Sequence, residues 1–344
     1  MVDMTKTGKT SLIGKAILVL AGTLLATLLC SCSAAQQSDS KTATDALDAQ
    51  AVRDAPFTQP EHPDAQYVLV IGDDSWGAYT PGRADLMMLM RLDFERNQIS
   101  LVTVPRDTKY VAPDGGVSKL NQVYCDQGPE AQCAAVSSVA GVDVTQYVAI
   151  GFEGLQGIVE HFGGLNVSLP YALDYSFYTK DYPNERFAEG EQTLTPWRAM
   201  ALSRTRTSYG DYNLEQDMMR QVVDRQMMVN LIQLAFADPS QTKTLLGALQ
   251  GFVATNVSLE TQSLWADELV DGSQITVHAT SGPYAGGIDE ETQLWLVTPD
   301  PENWKALMDA VDAGRDPAQA TAAYAAASES PRAPVSTSAT IALS

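Results

Sequence analysis

The sequence predicts a layered α/β domain in which a central mixed β-sheet is flanked by helices. Two observations predict it: short apolar runs that stop abruptly at polar loops, and longer segments with apolar residues at helical spacing set between them. Tyr67–Ile71 is such a run, ending at Gly72-Asp73-Asp74-Ser75, and reads as a buried strand. Leu86–Leu92 and Gln98–Val104 are the next two strands, joined across Asp93-Phe-Glu-Arg-Asn97 as a turn. A strand at Tyr147–Phe152 precedes an amphipathic helix over Glu153–His161, which Gly163-Gly164 terminates before a strand at Leu165–Leu169. Residues 171–192 are aromatic, charged and aperiodic, the pattern of a long loop, and helix resumes over Pro196–Leu202. The clearest helix is Gln216–Phe236, where Met219, Val223, Met227, Leu231 and Leu234 form one apolar stripe. Residues 241–253 also read as helical, followed by a strand over Gln274–Thr280 and a last helix over Pro299–Val311.

The domain so outlined spans residues 66–312, and both flanks differ from it in composition. Residues 1–15 carry Lys6, Lys9 and Lys15 against the single acid Asp3, and an apolar run follows from Ala16 to Leu29. A basic start before a short apolar run is the pattern of an export signal, and the run is shorter than the roughly 20 residues of a spanning helix. It ends in Leu29-Cys30-Ser31-Cys32, where the small residue before Cys32 suits a lipoprotein signal in which Cys32 becomes the acylated first residue. An uncleaved signal anchor is the alternative, and both place the remainder of the chain outside the cytoplasm, at the membrane. Residues 33–65 are polar and read as a flexible linker, while residues 313–344 are Ala-, Ser- and Pro-rich and read as a disordered tail.

Beyond the leader only Cys125 and Cys133 remain, flanking a Gly-Pro step. An oxidising compartment favours a disulfide between them, since His62, His161 and His278 lie far from both and offer no further metal ligand nearby. The net charge of −20 excludes nucleic acid as a natural partner and disfavours electrostatic adhesion to anionic lipid.

Against 42 acids the basic residues stand out by position. Arg83 and Arg106 lie at strand ends, Arg204 and Arg206 form Ser203-Arg-Thr-Arg206, and Arg220-Gln221 opens the long helix. Guanidinium groups gathered at strand and loop ends suit phosphate, which they can grip bidentately. Each alone would also serve as a surface ion pair. Asp73, Asp74 and Asp85 fall at the same end of the expected sheet, where carboxylates beside phosphates suit Mg²⁺, although Asp73 and Asp74 would equally cap a turn.

In order along the chain these pieces resemble the LytR-CpsA-Psr family. The resemblance is carried by Asp74-Ser75-Trp76, Arg83-Ala84-Asp85, Thr103-Val-Pro-Arg-Asp-Thr108, Lys119-Leu-Asn121, Phe152-Glu-Gly154, Gly163-Gly164-Leu165, Ser203-Arg-Thr-Arg206 and Arg220-Gln221. It implies an extracytoplasmic, Mg²⁺-dependent phosphotransferase that moves a glycopolymer from a polyprenyl-pyrophosphate-linked glycan to a peptidoglycan hydroxyl. Arg83, Arg106, Arg204, Arg206, Arg220 and Gln221 are then expected to bind phosphate, and Asp74 and Asp85 to bind the metal. Asp85 or Asp211 would act as base or orient the acceptor. Two departures stand out: Trp76 and Asp217 occupy positions where the family is expected to carry arginine. They leave open a catalytically weak polyprenyl-lipid or wall-glycan binding protein; a pyrophosphatase acting on the same lipid is the third reading.

Overall fold

The computed structural model describes residues 65–75, 81–169, 172–175, 185–205, 213–238, 246–269, 272, 274–317, 320 and 336–342. The expected leader, most of the linker, Cys32, Trp76, Arg206 and Asp211 lie outside the described residues.

A seven-stranded mixed sheet forms the middle layer, in the order β11-β6-β1-β2-β3-β12-β15. Its strands are β1 (Ala65–Asp73), β2 (Ala84–Asp93), β3 (Gln98–Thr103), β6 (Gln146–Ile150), β11 (Val253–Thr255), β12 (Gln274–Ser281) and β15 (Ser336–Ala342). β1 pairs in parallel with β6, and β3 with β12, while β2 runs antiparallel between β1 and β3. The carboxyl ends of β1, β3, β6 and β12 and the start of β2 therefore meet at one sheet edge, the usual place for a ligand in an open α/β sheet.

Alternation along the strands sends successive side chains to opposite layers. Leu69, Ile71, Met87, Leu89 and Val102 pack with α1 (Gln122–Gln127), α2 (Pro129–Ala140) and α7 (Pro301–Asp312), with Val123, Val136, Trp304 and Leu307 as buried partners. Val70, Met88, Ile99, Leu101 and Val277 face the other way, against Val229, Ile232 and Phe236 of α5 (Asn213–Phe236) and Leu269 of α6 (Leu259–Leu269). The stripe Met219, Val223, Met227 of α5 enters a separate cluster, where it meets α3 (Phe152–His161), β7 (Leu165–Leu169), β10 (Gly190–Leu194) and α4 (Pro196–Arg204). The long helix is thus apolar on two faces, one toward the sheet and one toward this flanking cluster. It contains neither Gly nor Pro over its length, so nothing in its backbone interrupts it.

Short elements complete the chain. Hairpins β4 (Lys109–Val111) with β5 (Val117–Lys119) and β13 (Gly286–Ile288) with β14 (Trp295–Val297) project from the active edge of the sheet, and β8 (Leu173–Tyr175) pairs with β9 (Glu185–Phe187). The segment expected as a long loop thus carries β8, β9 and β10. The expected disordered tail carries β15, which completes the sheet by pairing with β12 over Gln274–Thr280. The small Ser, Thr and Ala side chains of β15 give little apolar signal, and Ile341 is its side chain buried in the sheet-face cluster.

Two expectations are corrected. Cys125 and Cys133 are free thiols, not a disulfide. They sit on different helices, where Cys125 Sγ lies 3.6 Å from the Pro81 carbonyl and Cys133 Sγ lies 3.8 Å from that of Gln146. Burial pushes the Cys133 thiol up to about 12, so it packs as a small apolar group. An expected membrane span is likewise not found where the structure can be described: among the described residues no helix is long and apolar enough to cross a membrane.

Thiol titration of unreduced, denatured protein should therefore fall by one equivalent in Cys125→Ser and by one in Cys133→Ser. A disulfide would instead make each substitution release a thiol.

Candidate active site

The active edge is built around one carboxylate. Asp217, in the first turns of α5 and nearly fully buried, accepts from Arg106 Nε at 3.0 Å and Arg220 Nη2 at 3.0 Å on Oδ1. On Oδ2 it accepts from Gln221 Nε2 at 3.1 Å and the Tyr284 hydroxyl at 2.9 Å. Arg106 leaves the end of β3 through Pro105 and also donates Nη1 to Asp85 Oδ1 at 2.7 Å. Arg220 donates Nη2 to the Asp85 carbonyl at 2.8 Å. Burial opposes the charge on both arginines, yet the surrounding carboxylates together outweigh it, Asp217 and Asp85 for Arg106 and Asp217, Asp224 and Asp85 for Arg220, and both stay firmly protonated. Burial, then the Asp217 charge, holds the Tyr284 phenol protonated as a donor.

Other expected residues form the rim. The Arg83 amide donates to Asp74 Oδ1 at 2.6 Å, and Arg83 Nε donates to Gln122 Oε1 at 2.9 Å, which leaves this guanidinium at the exposed mouth. Asp73 receives the Ser75 amide and hydroxyl and the Tyr124 hydroxyl. Gly82 is required beside it, because a Cβ there would run into Asp73 and Ser75. Burial raises the Asp74 carboxyl above its usual range, with the neighbouring Asp85 and Asp73 adding to the effect. Arg204, at the end of α4, lies with its guanidinium carbon 4.9 Å from the centre of the Phe152 ring. Asp107 pairs with Lys119 at 2.9 Å on the far side of Arg106.

A cavity of about 270 Å³ opens from this edge. Asp73, Asp74, Asp85, Arg204, Arg220 and Asp224 line its polar end, and Val70, Leu86, Ile150, Leu155, Met227 and Leu231 are among its apolar walls. The structure therefore brings Asp74, Asp85, Arg204 and Arg220 to one cavity, sets Arg106 and Gln221 behind it on Asp217, and leaves Arg83 at its mouth. From sequence alone Asp217 stands as a missing cation, and neither Tyr284 nor Asp224 is marked as a site residue. Tyr284 is distant in sequence and carried no motif; Asp224 is spaced one helical turn from Arg220, a signal that was available.

Among the described residues no group of three or more His, Cys, Asp or Glu side chains could hold a metal ion. Asp74 and Asp85 are two carboxylates on one cavity, a set that suits Mg²⁺ only when phosphate oxygens and water fill the rest of its shell.

A model of the LytR_cpsA_psr family matches residues 29–304. The chain belongs to the LytR-CpsA-Psr family. Among family relatives, the polyisoprenyl-teichoic acid--peptidoglycan teichoic acid transferase TagU of Bacillus anthracis (strain CDC 684 / NRRL 3495) is 29% identical over 230 residues, 64% of this chain and 71% of that protein. The crystal structure of B. subtilis TagV superposes with a TM-score of 0.61 at 18% identity, covering 73% of this chain and 98% of TagV. TagT bound to LI-WTA superposes with a TM-score of 0.56 at 15% identity, covering 73% of this chain and 91% of TagT. At these identities the two structures establish that the LytR-CpsA-Psr fold is shared.

Removing Asp217 strands two buried guanidinium groups. Breaking a buried pair by deleting one partner costs about 3–5 kcal/mol, so Asp217→Ala should lower the denaturant midpoint sharply. Tyr284→Phe, which deletes one neutral donor to that carboxylate, should cost less, about 1.5–3 kcal/mol. Chemical denaturation of the two variants checks the ranking.

Proposed function

We propose that this protein transfers a glycopolymer from a polyprenyl-pyrophosphate donor to a hydroxyl of peptidoglycan, on the extracytoplasmic face of the membrane. The observation that carries the reading is the two-ended cavity, whose apolar walls lead directly into Arg204 and Arg220. Such a space suits an amphiphile with a long apolar tail and an anionic head. The names of the TagU relative and of the TagT complex agree with a lipid-borne wall polymer as that amphiphile.

The proposed chemistry is a phosphoryl transfer. The acceptor oxygen attacks the phosphorus on the glycan side, the bond from that phosphorus to the oxygen of the lipid-side phosphate breaks, and polyprenyl phosphate leaves. Arg220 and Arg204 are placed to stabilise charge on the pyrophosphate, with Arg83 at the mouth. Fixed cations at developing charge are typically worth about 10²–10³ in rate each. Asp85, held by Arg106, is placed to receive the hydroxyl proton. Mg²⁺ carried in with the pyrophosphate would meet Asp74 and Asp85 and neutralise charge there. Cys32, as an acylated first residue, would keep the domain beside its membrane-borne donor.

A second reading has its own supporting observation. Arg106 and Arg220 are already engaged by Asp85 and Asp217, which reduces the positive field offered to an anion and suits a protein that binds the lipid without turnover. Mass analysis after incubation with a synthetic polyprenyl pyrophosphate sugar, Mg²⁺ and peptidoglycan fragments separates the cases. Transfer predicts glycan joined to the fragment through phosphate; hydrolysis predicts free phosphorylated glycan; binding alone leaves the donor intact. With transfer established, Arg204→Ala should lower turnover about 10²-fold without loss of stability. Arg106→Lys should keep the ion pair to Asp85 but lose the second, forked bond. Fatty-acid labelling of cells should disappear in Cys32→Ala if the tether is an acyl chain.

A further inference from the structure

One face of α5 runs the length of the cavity. Arg220, Asp224, Met227, Met228 and Leu231 all line it. At about 100° and 1.5 Å per residue these positions fall in a single stripe about 100° wide, read from a cation, through a carboxyl, into apolar side chains over roughly 16 Å. Asp224 is thus the polar residue at the junction between the charged and apolar ends of the cavity.

Its surroundings set it apart from the other carboxylates of the site. The side chain is 3% exposed, and its ion-pair partner on the same helix, Arg220 Nη1, stands 3.7 Å from Oδ2, beyond hydrogen-bonding distance. Oδ2 has no hydrogen-bond partner, and neither has Arg220 Nε beside it. A buried polar atom without a partner is costly and calls for an explanation. The charged groups acting on Asp224 are Arg220, Asp217 and Arg225 on its own helix and Asp85 on β2. Asp73 and Asp74 of the β1 end and Arg204 of α4 share the cavity with it. Burial comes first among the causes that push this carboxyl up to about 7, and it outweighs Arg220.

We propose that Asp224, as the neutral carboxylic acid, donates a hydrogen bond to the phosphate that is esterified to the lipid. This deepens the reading of the site as a polyprenyl-pyrophosphate transferase and rests on it. In a pyrophosphate diester lying along α5, the glycan-side phosphate falls beside Arg220 and the lipid-side phosphate one turn further, beside Asp224. The lipid begins at Met227 and Met228. A carboxylate at that junction would repel the phosphate, whereas the acid form offers a donor and adds no charge to the apolar wall. The residue therefore makes recognition of the lipid-linked phosphate depend on one proton.

The sign follows from the raised value. Below about pH 7 the folded protein carries the proton and the donor is present; above it, binding must take up a proton. The probe is a synthetic polyprenyl pyrophosphate sugar, whose two diester phosphates stay ionised across the range. Its Kd is measured from pH 5.5 to 9 on the full chain, in wild type and Asp224→Asn, with the polyprenol lacking phosphate as the second ligand. Wild-type Kd should be level below pH 7 and weaken by about tenfold per pH unit above it. Asp224→Asn, a permanent neutral donor, should bind with a flat profile and at least tenfold more tightly than wild type at pH 9, and polyprenol should show no pH dependence in either protein. A flat wild-type profile, or the same fall in Asp224→Asn, overturns the role of Asp224 while leaving the site reading intact. Failure of the wild type to bind the pyrophosphate at any pH overturns both.

Discussion

The carboxylate of Asp217 holds the active edge together, because four donors from three parts of the chain meet on its two oxygens. Arg106 comes from the end of β3, Arg220 and Gln221 from the next turn of α5, and Tyr284 from the connection after β12. Through Arg106 and Arg220 the same network reaches Asp85 at the start of β2. Buried guanidinium groups are tolerated only when their charge is met and their donors are used. Asp217 meets that requirement for both at once, so the start of the long helix is fixed to the sheet by polar contacts. Further along, α5 is fixed to it by apolar packing.

The sheet topology explains why these groups can meet. Parallel pairing of β1 with β6 and of β3 with β12 sends their carboxyl ends to one edge, and antiparallel β2 starts there. Asp73, Asp85, Arg106 and Ser281 are separated by up to 208 residues in sequence, yet all lie at this edge. The opposite edge has its own buried pair, Arg91 with Asp93 at 2.6 Å, tied to Asp312 of α7 and through it to the Tyr67 hydroxyl. Its charges are absorbed by one another. The contrast lies in access: at the active edge some of the polar atoms face a space with apolar walls.

The elements that the sequence announced were those with a strong local period. β7 matches its expected bounds, and the stripe of α5 from Met219 to Leu234 packs into one cluster as its spacing required. Elements with small or polar side chains were hidden. α2 is rich in Ala, Ser and Gln, and β15 in Ser, Thr and Ala, so neither shows a sustained apolar period. At the site, residues in recognisable order, Asp85, Arg106 and Arg220, were found. Asp217 reads as a lost cation in the sequence because a sequence displays charge but not pairing. The disulfide inference failed for a related reason: proximity in sequence and an oxidising compartment permit a bond, but helices α1 and α2 direct the two thiols to different carbonyls.

The two acids on successive turns of α5 divide the electrostatic problem of the site. Asp217 is fully bonded and charge-paired, and it sets the positions of Arg106 and Arg220 at the expense of their net field. Asp224, four residues beyond Arg220, is buried with Arg220 Nη1 at 3.7 Å but with no hydrogen bond to Oδ2, and burial drives it toward the neutral form. A site arranged in this way cannot attract an anion by excess positive charge alone, least of all in a chain with net charge −20. Selection must come from geometry: an anionic head of limited length between Arg204 and Arg220, joined to an apolar tail that fills the space beside Met227 and Leu231. A free phosphate satisfies only the first condition and a neutral lipid only the second. Asp224 stands where the two conditions meet, and on the proposed reading its protonation state decides whether that junction accepts an ester phosphate.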